Sequence, residues 1–139
     1  MASLHHVAIG AYDIEVMARF YRVYFQLEES DRHQDENGDC RSIWLSAGQT
    51  TLMMERIGSL PSPAPLMRQG AFLLAFSMEP DEREAMKVRL TTAGVFIESE
   101  SACSMYFRDP EGNRVAVTHY PHEPSATEKG KNHLSQNEK

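Results

Sequence analysis

Cysteine is scarce in this sequence. Cys40 and Cys103 stand alone and form no CxxC pattern, which leaves no cysteine metal cluster, redox pair or disulfide framework to build a fold on. Both are expected as reduced core or rim residues. No run of about 18 or more apolar residues occurs, so no membrane span is expected. The start, MASLHHVAIG, has no basic region ahead of an apolar core; no secretory signal is expected, and the cytoplasm is the default location. Positive charge is in deficit, with 14 Lys and Arg against 20 Asp and Glu and a net charge of -6. A nucleic-acid partner needs a basic surface and is not expected. What remains is ordinary for a soluble globular chain: 41% hydrophobic and 24% charged residues. At 139 residues, one compact domain, or two small halves sharing a core, is the natural size.

The local patterns alternate between strand and helix periods. Leu4–Ala11 reads as a strand with His5, Val7 and Ile9 on one face and His6, Ala8 and Gly10 on the other. Asp13 caps a following helix, DIEVMARFYRVYFQL, with Glu15 in its first turn. Met17, Phe20, Tyr21, Tyr24 and Leu27 give that helix one apolar face. Glu28–Asn37 is polar and reads as an edge strand running into a loop. Arg41–Ala47 sets Ile43 and Leu45 opposite Ser42, Trp44 and Ser46. Thr50–Ile57 sets Leu52 and Met54 opposite Thr51, Met53 and Glu55.

After Gly58–Gly70, a proline-bearing linker, the order recurs. Ala71–Met78 is an apolar strand, and Pro80–Ala93 is a helix that Gly94 ends. Val95–Glu100 is a short strand. Met105–Tyr120 is a hairpin turning at Asp109-Pro110-Glu111-Gly112-Asn113, where Pro110 presets φ and Gly112 accepts a positive one. Pro121–Lys139 holds a single large apolar residue, Leu134, and is expected to be disordered. The pattern is βαβββ, linker, βαβββ, an α+β chain with modules at 4–57 and 71–120 in one domain over 1–120. Each module's helix covers one sheet face and leaves the other to line a cleft between halves or subunits.

The runs LHHVAIGAYDIEVMARFYRVYFQLEES, GAFLLAFSM, TTAGV and YFRDPEGNRVAV, across residues 4–120, resemble the vicinal oxygen chelate superfamily. That superfamily includes glyoxalase I, extradiol dioxygenases and the fosfomycin- and bleomycin-resistance proteins. The resemblance implies paired βαβββ modules around a cupped sheet, often in a homodimer. It also implies a divalent metal such as Zn, Ni, Mn or Fe that chelates vicinal oxygens of a small molecule. Of the four usual ligand positions, His6 matches the first and Glu55 the second. Leu73 stands at the third and Ala116 at the fourth, and neither side chain has a donor atom. Two ligands are fewer than the three or so a catalytic ion needs.

Three functions follow from the resemblance. The first is a lyase, isomerase or dioxygenase with a metal on His6 and Glu55. The second is a metal-free module that sequesters a small aromatic or amphiphilic compound, as bleomycin-resistance proteins do. The third is a metal-free enzyme using His6 and Glu55 as acid and base. Trp44, Met53, Leu73, Arg114, Ala116 and Tyr120 would line the cup. Each has a plainer reading: Met53 as core packing, Arg114 as a solvated charge beside a turn, His6 as a hydrogen-bonded strand histidine, Glu55 as a solvated strand residue. His6 and Glu55 are expected to point into one cavity, close enough to interact directly or through one water.

Overall fold

A computed structural model describes residues 1–58 and 69–121. All but the ends of the expected linker, and all of the expected tail beyond Pro121, lie outside the described residues. Two compact units emerge, one of Met1–Ala64 with Asp109–Asn113, the other of Pro65–Arg108 with Arg114–Lys139.

The first unit begins with strand β1, His6–Ala11, and helix α1, Ile14–Phe25. Strands β2, Glu28–Gln34, β3, Cys40–Ala47, and β4, Thr50–Arg56, follow. The sheet order is β1-β4-β3-β2, with β1 parallel to β4 and the other pairs antiparallel. The helix starts where the sequence asks it to: Asp13 accepts a hydrogen bond from the Val16 N–H at 3.1 Å. It stops at Phe25, with Gln26 in the left-handed region at φ 55°, two residues before the expected Leu27. Ile14, Met17, Ala18, Phe20 and Tyr21 are its buried residues. It packs on β3 and β4, and Ile43, Leu45, Leu52 and Met54, all of one parity, are buried there.

The second unit repeats the plan with β5, Leu74–Ser77, α2, Pro80–Thr92, β6, Ser99–Glu100, β7, Ser104–Arg108, and β8, Arg114–Thr118. Its order, β5-β8-β7-β6, is that of the first sheet position for position. Two βαβββ modules are thus present, as the element pattern requires. The expected strand over 95–100 shortens to two residues, and Leu73 precedes β5 instead of lying within it. Helix α2 has only Met86 and Leu90 as buried apolar residues. Its anchor is Arg83, 8% exposed, whose guanidinium lies 3.3–3.4 Å from the carbonyls of Ser101 and Ser104 and from Glu100. Lys87 adds a 2.8 Å pair to Glu100. Among the described residues no helix is long and apolar enough to cross a membrane.

The turn Asp109–Asn113 belongs with the first unit although β7 and β8 flank it. Asp109, 4% exposed, accepts from the backbone N–H of Glu111 and of Asn113, both at 3.0 Å, and from the Asn113 amide at 2.9 Å. Its other partner is the Tyr21 hydroxyl on α1 at 2.7 Å. Glu111 accepts from the backbone N–H groups of Tyr12 and Asp13, at 2.7 and 2.9 Å, just ahead of α1. A carboxylate there meets the positive end of the helix dipole.

Candidate functional site

Strand register decides which side chains can meet on the face of the first sheet opposite α1. Three rows cross the strands. Gly10, Glu55, Ser42 and His33 are successive cross-strand partners. Ala8, Met53, Trp44 and Asp31 form the next row, and His6, Thr51, Ser46 and Glu28 the third. His6 and Glu55 therefore share a face but lie four residues apart along the strands, about 13 Å at 3.3 Å per residue. The expectation that they come within one water of each other is not met. Strand parity was read correctly; the pairing register, which parity does not contain, separates them.

Each has a different partner. The exposed His6 ring touches His5, Nδ1 to Nδ1 at 3.0 Å. Glu55 is half-buried and accepts from the Ser42 hydroxyl at 2.9 Å. The Ser42 oxygen in turn accepts from the Trp44 indole N–H at 2.8 Å. Ser42 is 1% exposed and Trp44 is half-buried, and the hydrogen bonds that link them to the carboxylate satisfy the buried hydroxyl. The imidazole of His33 stands 4.9 Å from the indole, centroid to centroid, and its Nε2 lies 3.2 Å from Asp31. Sequence reasoning missed Ser42 and His33 as site residues. Ser42 already shared the parity of Trp44, and its place opposite Glu55 is the signal that register adds.

The nearest arginines in the sheet, Arg56 and Arg32, have the opposite strand parity and pair elsewhere. Arg56 pairs with Asp35 at 2.5 Å and donates to the Cys40 carbonyl at 3.0 Å. Asp35 is held below the usual carboxylate range, mainly by that hydrogen bond. Arg32 pairs with Glu15 and Glu29; the bond to Arg32 is also the main cause that lowers Glu29. Among the described residues no cation pairs with Glu55.

On the second sheet Ala116 is 2% exposed and is paired with Ala75 and Tyr106. The Arg114 guanidinium lies 5.5 Å from the centre of the Tyr106 ring. Leu73 is half-buried. Tyr120 follows the end of β8 and is 75% exposed, so among the described residues of its own unit nothing encloses it as a lining residue. His119, considered as a substitute donor, is 2% exposed with the parity of the buried Val115 and Val117, and among the described residues its Nδ1 has no hydrogen-bond partner.

The four positions that the family resemblance assigns to a metal do not suit one. Leu73 and Ala116 bring no donor, and register parts His6 from Glu55. Among the described residues no three His, Cys, Asp or Glu side chains are grouped to hold an ion.

Comparison with solved structures supports the fold. A mutant of the fosfomycin resistance protein FosX of Listeria monocytogenes, solved with Mn(II) and 1S,2S-dihydroxypropylphosphonic acid, aligns with TM-score 0.71 and 16% identity, over 93% of this chain and 98% of its own. A glyoxalase family protein of Enterococcus faecalis aligns with TM-score 0.66 and 24% identity, over 84% and 96%. Lactoylglutathione lyase of Agrobacterium tumefaciens aligns with TM-score 0.61 and 23% identity, over 85% and 93%. No curated protein matches the sequence. The sequence itself matches the Glyoxalase/Bleomycin resistance protein/Dioxygenase superfamily over residues 3–117, and the chain belongs to that superfamily.

Proposed function

We propose that this chain is a small-molecule-binding member of its superfamily that works without the family's metal, with a ligand seated on the open face of the first sheet. The observation that carries the reading is the Trp44–Ser42–Glu55 chain: a half-buried carboxylate aimed by a buried serine, beside an indole and the Met53 thioether. Such a surface sets an oriented carboxylate beside a small apolar patch of Ala8, Met53 and Trp44, and an apolar patch with a few placed polar groups is the usual make-up of a small-molecule site. The metal-dependent lyase, isomerase or dioxygenase reading needs donors that Leu73 and Ala116 do not have. The acid–base reading needs His6 beside Glu55, and the register sets them about 13 Å apart. Sequestration of an aromatic or amphiphilic compound asks for neither. A homodimer is part of the proposal, since symmetric pairing is the common way to complete small sheet faces. The free thiols of Cys40 and Cys103 agree with a reducing, cytoplasmic setting.

Trp44 is the only tryptophan, so its emission reports on the site. Titration with 2-naphthol and with metal-free bleomycin, in EDTA, is expected to change that emission saturably. Retention of one Mn(II) or Zn(II) per chain through desalting, lost in His6→Ala, would overturn the metal-free reading.

A further inference from the structure

We infer that Glu55 is the recognition group for an organic cation, and that the ligand is an aromatic amine: a protonated nitrogen with N–H donors on a flat apolar body. The inference rests on the small-molecule reading above and assigns its ligand class. Among the described residues, only one carboxylate oxygen of Glu55 is engaged, by the Ser42 hydroxyl at 2.9 Å. The serine is itself held by the Trp44 N–H at 2.8 Å and is 1% exposed, so the carboxylate is oriented before any ligand arrives. Arg56, its neighbour in sequence, is turned to Asp35 and the Cys40 carbonyl. Arg32 is held by Glu15 and Glu29. The carboxylate is thus aimed by its own unit and matched by no cation among the described residues.

An apolar patch adjoins it. Met53 and Trp44 are directly paired in the adjoining row, with Ala8 beyond Met53. Beside Glu55, the Ile57 side chain covers Gly10, where an added Cβ would stand 2.8 Å from Ile57 Cγ2. His33 backs the indole on its far side, with Asp31 close by as a second acidic group. A ligand laid on this bed removes water from the Glu55 carboxylate. A protonated amine replaces the lost hydration with a charge-assisted hydrogen bond. A neutral alcohol does so weakly, and an anion leaves two like charges together out of water. The net charge of -6 further draws cations toward the surface and repels anions.

The test uses three probes on one scaffold: 3-phenylpropan-1-amine, 3-phenylpropan-1-ol and 3-phenylpropanoate. Each is titrated into the full chain while Trp44 emission and the single indole N–H resonance are followed. The amine is expected to bind about tenfold more tightly than the alcohol, the size of one charge-assisted hydrogen bond. The acid is expected to bind more weakly than the alcohol. Glu55→Gln should abolish the amine's preference, bringing amine and alcohol to comparable affinity. Ser42→Ala should keep part of the preference, because the carboxylate remains but loses its aim. Equal or tighter binding of the alcohol or the acid overturns the cation assignment while the small-molecule reading stands. If none of the three perturbs the indole signals, that reading fails and the ligand class with it.

Discussion

At the scale of single residues, Tyr21 and Gly10 make the sharpest demands. Tyr21 is fully buried on α1 and donates its hydroxyl proton to Asp109 at 2.7 Å. Burial first, then the Asp109 charge and the hydrogen bond to it, push the phenol well above its ordinary range. The folded chain therefore keeps a proton that the unfolded chain releases near pH 10. The stabilisation is complete below that pH and is lost as pH rises toward the folded value. Tyr21→Phe should cost about 1–2 kcal/mol at pH 8, the low end for a bond to a charged acceptor because Asp109 keeps three other donors. The same variant should lose stability less steeply between pH 8 and 10.5, as urea unfolding at the two pH values will show. A cost that does not change with pH would remove the linkage argument. Gly10 is demanding for space. Its missing Cβ would lie 2.8 Å from Ile57 Cγ2, and a β-branched side chain has few rotamers with which to yield. Gly10→Ala should destabilise by about 1–3 kcal/mol, and Ile57→Ala in the same chain should recover part of that in a double-mutant cycle.

At the scale of elements, helix α1 and the Asp109–Asn113 turn form one device. The helix has its own cap in Asp13, and Glu111 adds a second carboxylate across the Tyr12 and Asp13 N–H groups. Asp13→Ala is expected to cost about 1 kcal/mol as a lost N-cap. Glu111→Ala should cost a comparable amount and, unlike Asp13→Ala, should also speed hydrogen exchange in the 109–113 turn. Uniform exchange in both variants would mean that the turn holds itself. The sequence made the two parts legible separately. Pro110 and Gly112 announced a turn, and Asp13 with Glu15 announced a helix start. The long-range use of Glu111 was not legible, because a turn glutamate carries no local mark of its partner 98 positions away. The edge strand β2 was similarly half-legible. Its polarity was plain, but the register shifts at Glu29/Asp31 and His33/Gln34, which help to place His33 beside Trp44, follow from pairing and not from composition.

At the scale of the whole chain, the repeated βαβββ order was legible because strand and helix periods alternate twice with turn residues between them, and the two sheets do share one strand order. That His6, Trp44, Met53 and Glu55 share one face was legible too, since parity is local. The rows were not, because register is decided where two strands pair. This one unreadable quantity changed the candidate site from a His6–Glu55 pair into a Trp44–Ser42–Glu55 chain. It also governs how the folded protein should answer to metal. A ligand that binds only the folded state stabilises it by RT ln(1 + [L]/Kd), about 2.7 kcal/mol at a hundredfold excess over Kd. For a chain of this size that corresponds to a rise in Tm of roughly 5–15 °C. With two donor-free positions and the remaining two parted along the sheet, no such term is expected. Thermal unfolding should therefore give the same Tm, within about 1 °C, in EDTA and in 100 μM Mn(II), Ni(II) or Zn(II), a shift below ~0.3 kcal/mol by the same scale. A rise of several degrees with any one of them, abolished by His6→Ala, would mean that a donor outside the register rows completes a sphere around His6, and the metal-dependent reading would then replace the one proposed. If Tm is unmoved by metal but rises with 3-phenylpropan-1-amine, and that rise is lost in Glu55→Gln, stabilisation by ligand will have been traced to the carboxylate and away from the family's ion.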